Sequence, residues 1–222
     1  MIYLKLAFIF FVSYLIGSVS FAIVISKVFY KQDIRTFGSG NAGMTNMRRT
    51  FGKKAAAATF VGDFLKGTIS VVFARMMMAQ YWPIMNIQFP DNLFFRDVAV
   101  YVAVGGALLG HLKPVYFGFK GGKGISVAFG AMMAATPVTT ALAFAVWAVV
   151  FIISKMVSLA SILAVVAYFI LTVLSFNITG DVSIPNFVAA VVFPSVIIYA
   201  HRSNIRRILN GTEYKFGQKK DK

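Results

Sequence analysis

The run Ile125-Ser126-Val127-Ala128-Phe129-Gly130-Ala131-Met132-Met133-Ala134-Ala135-Thr136-Pro137-Val138-Thr139-Thr140-Ala141-Leu142-Ala143-Phe144-Ala145-Val146-Trp147-Ala148-Val149-Val150-Phe151-Ile152-Ile153 decides the fold. It is too long and too apolar for a surface helix. A bilayer core requires ~20 apolar residues, so it is either one tilted span or two short ones. Thr136-Pro137 interrupts it, and proline lacks the N–H that a continuous helix needs. Charge chooses between the two. As one span, the run places Lys155 and the basic tail outside and leaves the stretch 177–185, which has no Lys or Arg, inside, against the positive-inside rule. As two spans hinged at Pro137, every basic cluster falls on one face.

The wider composition agrees. The chain has 222 residues, 59% of them hydrophobic and only 13% charged, yet its net charge is +15. Such a chain is an integral membrane protein, and its positive excess suits anionic ligands or an acidic leaflet. It has no cysteine, which excludes disulfides, thiolate nucleophiles and cysteine metal sites. Two histidines are too few for a histidine-rich metal site. No stretch reads as a separate soluble domain, so residues 1–222 form a single membrane-embedded domain.

The expected spans are 1–24, 55–79, 97–111, the two halves of 125–153, 156–176 and 186–200. Ser18-Val19-Ser20 mimics a signal-cleavage site, but the apolar run continues to Ile25, with Lys27, Lys31 and Arg35 following it. The first span is therefore retained, with its N-terminus outside. The expected fold is an all-α integral membrane protein with seven transmembrane helices, N-terminus outside and C-terminus cytoplasmic. Of the 22 Lys and Arg, only Lys5, Arg75 and Arg96 then lie outside. Residues 81–96 form an outer loop. Gly62, Gly67, Gly105 and Gly106 read as close-packing positions between helices.

Three polar stretches share the basic face. In Gly118-Phe119-Lys120-Gly121-Gly122-Lys123-Gly124, glycines let backbone N–H groups converge on one point and two lysines add charge. If Ile125 opens a helix, its positive end faces the same place. Two readings compete: a phosphate cradle, and a flexible basic loop on lipid headgroups. It is not a Walker loop, because Phe117 and Gly124 stand where that motif needs glycine and Ser/Thr. Residues 27–54 carry Gly38-Ser39-Gly40-Asn41-Ala42-Gly43-Met44-Thr45-Asn46, then Arg48 and Arg49. Hydroxyls and amides there supply directional hydrogen bonds, and guanidinium suits phosphate; the plain alternative is a polar turn. The tail opens His201-Arg202-Ser203-Asn204-Ile205-Arg206-Arg207. If it continues the last span as one helix, His201, Asn204 and Ile208 share a face.

Within the second span, Asp63 and Lys66 stand three apart, which favours a structural ion pair on one helix face. Ser158 and Ser161 open the sixth span from the inside and are placed to line the same pocket.

Taken in order, Gly38 to Asn46, Gly110-His111 through Gly124, and His201 to Arg207 with Gly211 and Glu213 resemble the three cytoplasmic signatures of the PlsY family. These are bacterial acyl-phosphate-dependent glycerol-3-phosphate acyltransferases, and the resemblance runs along essentially the whole chain. It implies transfer of a fatty acyl group from acyl phosphate to the 1-hydroxyl of glycerol 3-phosphate, giving lysophosphatidic acid. It also implies no acyl-CoA or carrier-protein donor. By position, Ser39, Asn41, Thr45 and Arg49 match functional residues of the first motif. Lys120, Gly121, Gly122, Lys123 and Gly124 match the phosphate loop, and His201 and Asn204 the third motif. Glu213 matches a structural residue. Ser39, Asn41, His201 and Asn204 are the catalytic candidates; Gly38, Gly40, Thr45, Asn46, Arg49, the phosphate loop and Ser158 are the substrate-binding ones. Met44 and Ser126 stand where the family commonly has alanine, and Lys113 where it is usually not basic.

The residues fit that reaction. Acyl phosphate is already activated, so no cofactor, metal or covalent intermediate is needed. Two anions must be held together and a hydroxyl aligned on a carbonyl. The rival CoA-dependent design needs His-x4-Asp, but Tyr116 follows His111 at that spacing and Arg206 follows His201. A transporter of organic phosphates would share the basic motifs but should show repeat symmetry and a polar midplane site. A scaffold leaves the three motifs unexplained. The expected setting is the bacterial plasma (inner) membrane, with the active site facing the cytoplasm. The partners are glycerol 3-phosphate, acyl phosphate and membrane lipid, with no nucleic acid, and the protein is a monomer.

Overall fold

The computed structural model describes residues 2–78, 81–82, 87–88, 93–179 and 183–217. Their regular secondary structure is helical apart from two short antiparallel strands, Tyr81–Trp82 (β1) and Ile87–Gln88 (β2). The chain forms two compact units, Met1–Ala135 and Thr136–Lys222.

The first unit holds α1 (Ile2–Ser18), α2 (Phe21–Tyr30), α3 (Met44–Phe51), α4 (Lys53–Met77), α5 (Leu93–Leu112) and α6 (Ile125–Ala135). Helices α1 and α5 lie backbone to backbone. A Cβ on Gly106 or Gly110 of α5 would run into the main chain of α1 at Phe10 or Tyr14. Gly67 and Gly130 bring α4 and α6 together in the same way. Apolar helices without a water-driven force between them pack through such small residues. The expected first span is interrupted: the chain breaks at Val19–Ser20 between α1 and α2, which leaves the Val19 carbonyl outside the helical ladder. Residues 93–96, expected in the outer loop, are instead the first turn of α5. Residues 81–82 and 87–88 of that loop are the two strands, and 83–86 and 89–92, with Pro83, Pro90 and Asp91, lie outside the described residues.

The second unit holds α7 (Pro137–Ser154), α8 (Val157–Thr179), α9 (Ile184–Ala200) and α10 (Arg202–Leu209). Pro137 begins α7, where its missing N–H costs nothing. Leu142, Val149, Ile152 and Ile153 of α7 are all more than half exposed. Such an apolar surface belongs against lipid. The tail returns to the bundle where the Phe216 N–H donates to the Lys155 carbonyl at 2.7 Å. Phe216 also meets Phe151 edge-on.

Among the described residues, five stretches are long and apolar enough to cross a membrane: Ile2–Tyr30, Lys53–Met77, Phe94–Phe117, Pro137–Ser154 and Val157–Ile178. A sixth is reached by joining α9 to α10 across a 62° bend. Helix α6, the expected fourth span, has 11 residues. At 1.5 Å per residue it is about 16 Å long, against about 30 Å of bilayer core.

Candidate active site

In the first unit, the site is built from the turn after α2. Asp33 caps the short 3-10 turn Ile34–Thr36 by accepting the Arg35 N–H at 3.0 Å. The same carboxylate grips the Arg35 guanidinium in a fork, Nε to Oδ1 at 3.0 Å and Nη2 to Oδ2 at 2.8 Å. The side-chain bond from Arg35 holds the Asp33 carboxyl well below the usual carboxylate range, and Asp33 in turn raises the guanidinium. Arg35 is thus a fixed cation with one amino group left to reach outward. Its Nη1 donates to the Phe117 carbonyl at 2.6 Å and to the Lys120 carbonyl at 3.3 Å. The first polar loop is thereby fastened to the glycine–lysine loop.

Asn46 organises the inside of the first loop. Its Oδ1 accepts the Ser39 N–H at 3.0 Å, and its Nδ2 donates to the carbonyls of Ile34 and Phe37 at 3.1 and 2.9 Å. The side chain is buried and engaged with the loop on both ends of its amide. Expected to bind substrate, it holds the loop that presents Ser39. A Cβ on Gly38 would overlap this amide oxygen. Ser39 and Gly40 are exposed; Asn41, Thr45 and Arg49 are half-buried. Gly43 caps α3, which carries Thr45 and Arg49.

The glycine–lysine loop follows α5. Tyr14 donates to the Lys113 carbonyl at 2.9 Å, and the Phe119 N–H closes on the Pro114 carbonyl at 2.9 Å. Gly118 and Phe119 both take left-handed φ, +66° and +58°. A non-glycine residue there is uncommon and marks a constrained turn. Gly121 and Gly122 serve another purpose. Neither has a left-handed φ; each lies where a Cβ would strike His111, at its carbonyl for Gly121 and its ring Nε2 for Gly122. Ile125 opens α6 directly after the loop, as expected. Between the two loops lies a recess of about 480 Å³ lined by Arg35, Gly40, Gly118, Lys120 and Gly121, among others. Lys120 is exposed, while Lys123 is half-buried.

In the second unit, the tail does not continue α9. The helix breaks at His201, which caps α10 beyond the 62° bend. His201 therefore ends α9 and starts the ladder of α10, its carbonyl accepting the Ile205 N–H at 2.9 Å, rather than lying within an unbroken span. It is buried, and its Nδ1 lies 2.8 Å from the Ile197 carbonyl. A carbonyl only accepts, so Nδ1 carries a proton. Asn204 donates to Glu213 Oε1 at 2.8 Å, as does the Ser158 hydroxyl, and Arg207 Nε donates to Oε2 at 2.8 Å. Burial pushes the Glu213 carboxyl up, but these three hydrogen bonds and the guanidinium charge outweigh it and hold it below its ordinary range. Ser158, expected in the substrate pocket, gives its hydroxyl proton to Glu213. Ser161 spends its own on the Val157 carbonyl and accepts from Trp147 Nε1.

Helices with lipid-facing apolar surfaces, carrying a basic loop pair around a recess, define an integral membrane protein. The family model described as glycerol-3-phosphate acyltransferase matches residues 7–211. The chain belongs to the glycerol-3-phosphate acyltransferase family. It is 40% identical over 212 residues to a glycerol-3-phosphate acyltransferase of Clostridioides difficile (strain 630), covering 95% of each chain. It is 37% identical over 206 residues to one of Neisseria meningitidis serogroup C (strain 053442), covering 93% of this chain and 94% of that one. Two solved structures of PlsY, an integral membrane glycerol 3-phosphate acyltransferase, have the same fold. The glycerol 3-phosphate form superposes with TM-score 0.79 at 36% identity over 96% of both chains. The lysophosphatidic acid form does so with TM-score 0.76 at 35% identity, over 96% of this chain and 95% of that one.

Proposed function

We propose that this protein moves a fatty acyl group from acyl phosphate to the 1-hydroxyl of glycerol 3-phosphate, giving lysophosphatidic acid. The hydroxyl oxygen attacks the acyl carbonyl carbon, the carbon–oxygen bond to phosphate breaks, and inorganic phosphate leaves with its electron pair. The reading is supported above all by the glycine–lysine loop, fastened by Arg35 beside Ser39 and Asn41, in a chain of this family. The lysines and the loop N–H groups take the phosphate of glycerol 3-phosphate. Ser39 and Asn41 stabilise the oxyanion that forms at the carbonyl, where fixed donors act most strongly. Gly38, Gly40, Thr45 and Arg49 shape and charge the same loop, and Asn46 acts through it.

Family resemblance assigns His201 and Asn204 to the same reaction, so residues 1–222 serve as one acyltransferase domain. The hydroxyl proton passes to substrate phosphate, with His201 positioning the reactants. The topology that goes with this reading has seven membrane-inserted segments with the N-terminus outside. It puts the polar loops and the tail in the cytoplasm of a bacterium, at its inner membrane. The distribution of Lys and Arg supports that orientation. The protein acts as a monomer, and the acyl tail stays in lipid-like surroundings.

The test is release of lysophosphatidic acid by purified protein given labelled glycerol 3-phosphate and acyl phosphate. No product from folded protein would contradict the reading.

A further inference from the structure

Beneath the glycine–lysine loop lie three ionisable side chains that the proposed chemistry leaves unused. Asp63 and Lys66 on α4 and His111 on α5 are each at most 3% exposed. Lys66 Nζ stands 2.8 Å from Asp63 Oδ1, 2.8 Å from the Val19 carbonyl and 3.0 Å from His111 Nδ1. An ammonium has three N–H donors and accepts nothing. Here three acceptors surround it, one of them the carbonyl released by the break between α1 and α2. As the acceptor for that ammonium, His111 Nδ1 would carry no proton. It is also 3.6 Å from Asp63 Oδ1, too far to donate well there. The imidazole proton sits on Nε2.

That nitrogen faces the loop. A Cβ on Gly122 would overlap both His111 Nε2 and the Ala42 carbonyl oxygen, so ring, second loop and first loop meet at one point. The Gly122 N–H donates to the His111 carbonyl at 3.1 Å, and Gly121 lies against that same carbonyl.

We propose that Asp63, Lys66 and His111 form a buried seat for the glycine–lysine loop, in which Lys66 locks His111 as the Nε2–H tautomer and so sets the loop's position for phosphate. His111 is a positioning residue acting through Gly121 and Gly122, and the proposal rests on reading that loop as the glycerol 3-phosphate site.

The chain has only two histidines, so ¹⁵N-histidine labelling of the whole protein yields two imidazoles, and His201→Gln assigns them. The expected spectrum of the unaltered protein at neutral pH shows His111 with a bare Nδ1 and a protonated Nε2. A proton on Nδ1, in the other tautomer or in an imidazolium, overturns the lock. Glycerol 3-phosphate affinity, measured by calorimetry, tests the seat. His111→Leu and Lys66→Met should each weaken Kd about tenfold, the scale of one well-placed buried hydrogen bond. His111→Gln, whose amide can place an N–H near Nε2, should restore most of it. A lowered melting temperature with unchanged Kd in both, or no rescue by glutamine, would reduce the three residues to plain structure. Should Lys66→Met not fold, the unaltered protein's spectrum and the two His111 variants still decide. If the protein binds glycerol 3-phosphate but transfers no acyl group, the function reading falls and the seat stands.

Discussion

The guanidinium of Arg35 donates to the carbonyl of Phe117 at 2.6 Å, across 82 residues of sequence. Because Asp33 occupies the other edge of that guanidinium, Arg35 is a rigid strut rather than a mobile surface charge. A lysine cannot hold Asp33 and two carbonyls in one planar fork. Arg35→Lys should therefore raise KM for glycerol 3-phosphate about tenfold, with a smaller effect on kcat. Unchanged KM in the folded variant would mean that the recess does not depend on the strut.

Two glycines of the same loop should respond differently to alanine. Gly118 has φ +66°, but a methyl group added there would meet nothing within 4 Å. Gly118→Ala should cost about 1 kcal/mol from backbone handedness alone and leave substrate binding nearly intact. Gly122→Ala forces a methyl into His111 and the Ala42 carbonyl, an overpacking of about 1–3 kcal/mol that also lifts the loop. Thermal melts together with KM for glycerol 3-phosphate separate the two. Equal KM effects would deny that close approach is why Gly122 is glycine.

Much of this is legible in the sequence, and what is not has a physical cause. The Asp63–Lys66 pair follows from helical spacing alone, and the break at Pro137 from proline chemistry. His111 stands 45 residues from Lys66, so its place in the network depends on how α4 packs on α5. Arg35 counts in the sequence only as one of many inside charges, because its acceptors on the second loop are main-chain carbonyls, which leave no mark there. The loop's glycine content is plain, but not which glycines serve conformation and which serve contact. Phe119, the non-glycine residue of the loop in the left-handed region, cannot be singled out from its side chain.

Acid should undo the docking of the tail. Glu213 has its carboxyl held below an ordinary value of 4.5 by Asn204, Ser158 and Arg207. A depressed carboxylate contributes its stability above the unfolded value and loses it as pH falls through the folded one. Melting temperature should thus be insensitive to this group near neutrality and fall below pH 4.5. Glu213→Gln should start lower and show a shallower acid limb. Parallel acid limbs for the two proteins would contradict this role.

His201 already donates its Nδ1 proton to the Ile197 carbonyl at 2.8 Å, so in the neutral ring the lone pair is on Nε2. Positioning and base catalysis give different kinetics for His201→Gln. Positioning predicts a raised KM with substantial kcat remaining. Normal KM with kcat lowered by ~10²–10⁴-fold would identify His201 as the base instead.

Donor identity tests the proposed reaction most directly. Purified protein is given glycerol 3-phosphate together with an acyl phosphate and an acyl-CoA whose chains differ in length, and the lysophosphatidic acid is weighed by mass spectrometry. The expected product carries only the acyl phosphate's chain, with one inorganic phosphate released for each molecule formed. Product carrying the chain supplied on CoA, in comparable amount, would contradict it.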